Sequence, residues 1–283
     1  MVLTDVMPRV HFSFSRCLPP SQQQIRLGLA DLGVPSALIE ALLPLLPEST
    51  SGILVYGSYA RGDARAASDL DILVLGDDFI RPEGDDRISL SFYSEQQLRD
   101  ATGTLFGYHL TRDGKVLLDV NGQLSPILAA IEPPDPDELK AKIWRLSVVL
   151  TIPPAERAKH LPGMTQVARY LLRSAMYAEA LRVGEPCFSV QELATRGNDP
   201  SLRELLSSHA HEQRPASERT FSELQERLER IVGPVPDGAA ASSLEALVVE
   251  AWSVDQDLSN LALLAFGADD EGISYSEVPK VVL

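Results

Sequence analysis

"ILVYGSYARGDARAASDLDILVLGD", residues 53–77, joins two apolar runs through a polar loop. The first run ends in Gly57-Ser58, and after ten intervening residues comes Asp69-Leu70-Asp71. Short β-branched runs bounded by glycine read as buried strands. Residues two apart on a strand share a face, so Asp69 and Asp71 are expected side by side, with Leu70 and Ile72 buried on the other face. Two carboxylates so close repel each other unless a cation sits between them. Magnesium prefers a few carboxylate oxygens together with substrate phosphates, which such a pair offers. Gly57 leaves room for a phosphate to approach the backbone, and Ser58 supplies a hydroxyl donor. The next residues, "YARGDARAA", suit a helix whose amino end faces the same anion. Arg61 and Arg65 lie in it, and Arg61 is placed to reach a phosphate.

Working outward, "SQQQIRLGLADLG" and "PSALIEALLPLLP" carry apolar residues at helical spacing before the motif. After it, "RISLSFYS" alternates Ile88, Leu90 and Phe92 against serines as a half-buried strand does. "SEQQLRDATGTLFGYHL" opens as a helix with a Ser94/Gln97 capping box, and "GKVLLDVNG" reads as a fourth strand. Three prolines within "EPPDPD", residues 132–137, break any regular element and mark a domain boundary. Beyond it, four segments show the 3.6-residue period: "ELKAKIWRLSVVL", "MTQVARYLLRSAMYAEALRVG", "SERTFSELQERLERIVG" and "SSLEALVVEAWSVDQDLSNLALLAFG". The expected layout is a loose N-terminal arm (1–20), an α/β domain with a mixed sheet (21–131), an all-α helical bundle (138–267) and a tail (268–283).

With 45% hydrophobic and 23% charged residues among 283, the chain has a globular composition. Its formal charge of −15 argues against gripping a long nucleic acid by phosphate neutralisation. It favours a protein or a cationic small molecule as partner. Cys17 and Cys187 make no disulfide framework, so a reducing cytoplasm is the default expectation. No run nears the roughly 18 apolar residues of a membrane span, so no membrane partner is expected.

The Gly57-Ser58 pair, the ten-residue spacer and Asp69-x-Asp71 between apolar runs resemble the DNA-polymerase-β-like nucleotidyltransferase superfamily. "GSYARGDARAASDLD" is especially similar to the minimal nucleotidyltransferases. The resemblance implies that Gly57 and Ser58 hold the triphosphate of an NTP, expected to be ATP, while Asp69 and Asp71 bind two magnesium ions. An acceptor hydroxyl would attack the α-phosphate and release pyrophosphate. The helical half resembles, more loosely, the bundles of kanamycin-type and antitoxin-type relatives. The resemblance thus raises a protein acceptor (a toxin modified by AMP transfer), an aminoglycoside, or an RNA end if Arg169, Arg173 and Arg182 cluster. The rival reading is a catalytically degenerate nucleotide-binding regulator or antitoxin that acts by partner contact.

The superfamily usually adds a third acidic residue on a later strand. Here Ser89 stands in the expected place, or Ser91 if the register shifts by two. Asp119 in "VLLDVNG" has the right apolar flanks and is the candidate third catalytic ligand, although it also reads as an aspartate leading into the Asn121-Gly122 turn. Arg169, Arg173 and Tyr177 recur on one helix face, either lining the cleft or forming a solvated edge. Glu179 is a candidate acceptor-side base. Arg203 to His209 matches the loose Arg-x5-His pattern of HEPN ribonucleases, a pattern that also arises by chance. His109 reads as a packed histidine, and His160, His209 and His211 lack partners at zinc spacing, so no zinc site is expected.

Overall fold

A computed structural model describes residues 20–47, 49–66, 68–76, 87–207, 214–236, 241–267 and 283. Residues 1–19 of the expected arm, His209, His211 and the tail apart from Leu283 lie outside the described residues, and Pro20 already belongs to the first helix. Two helices, α1 (Pro20–Asp31) and α2 (Ser36–Leu42), lead into β1 (Gly52–Tyr56), the short α3 (Gly57–Arg61) and β2 (Leu70–Leu75). Then come β3 (Ile88–Tyr93), α4 (Glu95–Arg99), α5 (Leu105–Asp113), β4 (Lys115–Asp119) and α6 (Leu124–Ala129). The helical half holds α7 (Pro136–Leu146), α8 (Pro154–Arg157), α9 (Leu161–Arg182), α10 (Val190–Arg196) and α11 (Ser201–Leu206). It ends with α12 (Glu218–Val232), α13 (Leu244–Ala251) and α14 (Gln256–Gly267).

The four strands form one mixed sheet in the order β3-β2-β1-β4, with β2 and β3 parallel and the other pairs antiparallel. The two-residue period of each strand sorts its side chains between two cores. Ile53, Val55, Leu70, Ile72 and Val74 pack on α1 and α2. Leu54, Tyr56, Leu73 and Leu75 pack against Leu98, Leu110, Leu124 and Ile127 on the opposite face. Asp71 shares the face of Leu73, at the end of the sheet where Tyr56 is its partner. Leu70 and Ile72 are fully buried on the other face, as the alternation implies.

The helix after Gly57-Ser58 is shorter than "YARGDARAA" suggests. Gly62 adopts a left-handed conformation (φ 79°) and ends α3, its N–H donating to the Ser58 carbonyl. The Ser94/Gln97 capping box is present, but α4 stops at Arg99 and Thr104 caps a separate α5. The last periodic segment is likewise two helices: Asp255 caps α14 by accepting from the Leu258 N–H (3.1 Å).

The helical half is organised by α9, whose buried Val167, Leu171 and Leu172 pack with Phe221, Leu224 and Leu228 of α12. Arg169 on α9 is 4% exposed. Its Nε donates to the Leu205 carbonyl (3.0 Å) and its Nη2 to the Arg214 carbonyl. This arginine therefore fixes α11 against α9 and is not a cleft cation.

Candidate functional site

The end of β1, α3 and the start of β2 form one wall of a cleft of about 480 Å³, a size suited to a small-molecule ligand. Gly57, Ser58, Asp69 and Asp71 line it, facing α9, α10 and α11 of the helical half. Gly57 has φ +72°, and a Cβ built there would lie 2.2 Å from Asp71 Oδ2. The glycine thus makes room for the carboxylate of Asp71 itself, a constraint that sequence reasoning assigned to a phosphate. The carboxylate pair offers hard oxygen donors on one wall of a cleft, a set that fits magnesium together with substrate phosphates. Among the described residues, no group of three His, Cys, Asp or Glu side chains comes together as a metal site.

The position of a third acid is occupied by serine. Parallel pairing sets Ser89 beside Asp71 and Ser91 beside Leu73. Ser91 Oγ lies 3.3 Å from the buried Tyr56 hydroxyl, whose pKa is raised by burial and by Asp71. Asp119 is elsewhere: it faces Gly52 on β1, whereas Asp71 faces Tyr56. Four residues of strand separate these positions, about 14 Å. Asp119 instead accepts from the N–H groups of Leu124 (3.1 Å) and Ser125 (3.0 Å) and from the Ser125 hydroxyl (2.7 Å). Burial would raise its pKa, but these hydrogen bonds outweigh it and hold the carboxyl below its usual range. Asp119 is a helix-capping residue at the far end of the sheet and cannot share a metal with Asp69 and Asp71.

Arg61 lines the cleft, but protein groups already engage it. Its Nη2 lies 3.2 Å from Asp63 Oδ1, its Nη1 donates to His109 Nε2 (3.1 Å), and Nη1 is 3.9 Å from Asp113 Oδ2. Asp63 in turn accepts from the Ser189 hydroxyl (2.6 Å), and Arg65 Nη2 donates to Gln191 Oε1 (2.6 Å). The His109 ring stacks on Phe188 at 4.9 Å. Together these contacts tie the motif loop to the segment leading into α10. Ser189-x-x-Glu192 is the local signal for that helix, since Ser189 Oγ accepts the Glu192 N–H.

An arginine only donates, so His109 Nε2 accepts and the imidazole is neutral with its proton on Nδ1. Burial first, then Arg61 and Arg112, hold its pKa at about 3, against an ordinary 6.5. The folded state therefore resists a proton that the unfolded chain takes up as pH falls through 6.5. The stability of the neutral form is present above 6.5 and is lost on acidification. We expect this group to cost about 2 kcal/mol between pH 6.5 and 5. Asp113, raised chiefly by burial, works in the opposite direction, so denaturation of His109→Gln beside the wild type isolates the histidine part. Equal slopes in both proteins would refute this account of His109.

The helical wall is cationic. Arg173 and Arg203 line the cleft together with Tyr170, Ser174, Tyr177 and Ser207, and among the described residues no Asp or Glu side chain of this half lines it. Arg182 pairs with Glu179 outside the cleft (2.5 Å), and Glu179 also accepts from Lys140 (3.3 Å). Their hydrogen bonds, that of Arg182 first, pull Glu179 down to about 2. Glu179 is thus bound up in surface ion pairs and is not an acceptor-side base, and the Arg169, Arg173 and Arg182 cluster does not form. Arg203 has no periodic signal of its own, because the Arg169 tie between α9 and α11 brings it to the cleft.

No helix among the described residues is long and apolar enough to cross a membrane. No curated protein matches the chain. Residues 36–109, which include β1 to β3 and the whole Gly-Ser and Asp-x-Asp constellation, match the family model of the nucleotidyltransferase domain. This chain therefore carries a nucleotidyltransferase domain of the DNA-polymerase-β-like superfamily, joined to a helical half that lies beyond the match.

Proposed function

We propose that the protein transfers a nucleoside monophosphate from a magnesium-bound NTP, with ATP as the expected donor, to an acceptor hydroxyl. The carrying observation is the carboxylate pair Asp69 and Asp71 on the same cleft wall as Gly57-Ser58. In this reading Asp69 and Asp71 hold two magnesium ions, and Ser58 with the backbone at Gly57 orients the phosphates. Bound magnesium would neutralise charge on the transferring phosphoryl group and its leaving pyrophosphate. The chain's own residues fix position: β2 carries Asp71 and begins directly after Asp69, and the Arg61–His109–Asp63–Ser189 contacts hold the opposite wall in place. Incubation with α-labelled NTPs, magnesium and fractionated cell extract tests this, with label expected in one acceptor class. Labelling independent of magnesium would sink it.

Ser89 beside Asp71 favours a second reading, in which the domain binds nucleotide and acts through a partner without turnover. A serine is a poor magnesium ligand beside a carboxylate. Ser89→Asp distinguishes the two. If the wild type transfers with two carboxylates, the added acid changes kcat by less than about tenfold. If the wild type binds Mg-NTP without transfer and Ser89→Asp gains transfer, the second reading holds.

A further inference from the structure

The first turn of α5 is capped from far along the chain. A helix leaves its first N–H groups without partners of its own. In α5 the helical bonding begins with the Tyr108 N–H on the Thr104 carbonyl (3.1 Å), and Thr104 Oγ1 accepts the Gly107 N–H (3.0 Å). The two N–H groups before these, of Leu105 and Phe106, both donate to the main-chain oxygen of Leu283 (2.7 and 3.4 Å).

Residue 283 is held on its other side by α9. Burial raises the pKa of the Tyr170 phenol, and a main-chain hydrogen bond from Leu283 opposes that rise. A bond that favours the phenolate is one donated to it, so the Leu283 N–H donates to the Tyr170 oxygen. The main chain of a single residue thus bridges α5 of the sheet half and α9 of the helical half. Its side chain is 4% exposed and joins the apolar cluster that contains Leu105 and has Tyr170 packed against it. A satisfied main-chain donor and acceptor around one enclosed side chain is how proteins grip an extended peptide. The seat also belongs to the cleft: Leu283, Leu105, Phe106 and Tyr170 line it together with Asp69 and Asp71. The Phe106 ring meets Tyr56 edge-on at 5.9 Å, and Tyr56 is the strand partner of Asp71.

We infer that the gap between the start of α5 and Tyr170 is a binding site for an apolar residue of an extended peptide, and that its occupant is the chain's own Leu283. Seated there, Leu283 clasps the two halves and forms part of the cleft wall, so a ligand that enters between α5 and α9 has to displace it. Residue 283 follows the end of α14 at Gly267 in the same chain. Such a connection presents it to the seat at an effective concentration on the order of millimolar, which favours it over a free peptide. The seat stands apart from the nucleotidyl-transfer reading and holds equally in a domain that only binds nucleotide.

The test uses the full chain. Amide exchange followed by NMR should find Leu105 and Phe106 slow, although helix-start amides without partners exchange freely. Leu283→Asp is expected to speed both at least tenfold, because a charged group resists the enclosed place of the leucine. The Gly107 amide, held by Thr104, should stay within threefold, which shows that α5 remains folded, and thermal melts check the rest of the chain. Tyr170→Phe removes the oxygen that accepts from Leu283 and should speed the pair to a lesser degree. In parallel, a fluorescein-labelled peptide of residues 276–283, SEVPKVVL, is titrated by anisotropy. It should bind the full-length Leu283→Asp chain, whose seat is vacated, and bind the wild type at least tenfold more weakly. The peptide carrying Leu283→Asp should bind neither. Leu105 and Phe106 amides that exchange as fast in the wild type as in Leu283→Asp overturn the inference. So does a peptide that binds neither chain, or one that binds whatever its last residue. Equal binding to both chains overturns occupation by the chain's own end. Protection that falls on tenfold dilution of the protein would assign the seat to the end of a second copy, and overturns occupation within one chain.

Discussion

Asp69→Asn/Asp71→Asn is expected to lower magnesium-dependent transfer by roughly 10³–10⁴-fold, the equivalent of the several kcal/mol that metal ions supply to a developing phosphoryl charge. Asparagine keeps the size and shape of each side chain, so the sheet that buries Leu70 and Ile72 behind the pair is undisturbed. What changes is charge: two carboxylates on one cleft wall repel in the absence of a cation. Magnesium should therefore raise the melting temperature of the wild type and leave that of the variant unmoved, a difference readable without any acceptor. A wild type insensitive to magnesium, or transfer persisting in the variant, would refute the assignment of the pair as metal ligands.

The strands were legible because each is a short apolar run between glycines or polar turns, and the motif follows from strand geometry: period two fixes that Asp69 and Asp71 share a face. Other features depend on partners distant in sequence. Asp119 satisfies the apolar–Asp–apolar pattern, yet β4 runs antiparallel to β1 and sets it opposite Gly52, the wrong end for the cleft. Nothing local reports strand direction. Arg61 is a cation in the loop that follows Gly57-Ser58, but its engagement by Asp63, His109 and Asp113 joins side chains up to 52 positions apart in number. Period alone merged α13 with α14, although Asp255 caps the second helix and marks the break. The stripe Arg169, Arg173 and Tyr177 was correct as a helix face, and packing then divided it: Arg169 holds two carbonyls, while Arg173 and Tyr177 face the cleft.

Gly57→Ala is expected to damage the site by two separable routes. An alanine at φ +72° bears about 1–2 kcal/mol for the left-handed backbone. Its methyl would also fall 2.2 Å from Asp71 Oδ2 and 3.1 Å from Asp71 Cγ, so the carboxylate must swing away. We expect a loss of about 2–4 kcal/mol in stability overall, with at least a tenfold loss in Mg-ATP affinity as the carboxylate leaves its place. The Asp71→Ala background separates the routes, because Asp71 Cβ at 3.4 Å is an ordinary contact once the carboxylate is gone. In that background Gly57→Ala should cost only the backbone part. The difference between the two costs, read by urea denaturation as a double-mutant cycle, measures the clash. Equal costs in both backgrounds would show that Gly57 is required for its backbone alone and does not make room for the Asp71 carboxylate.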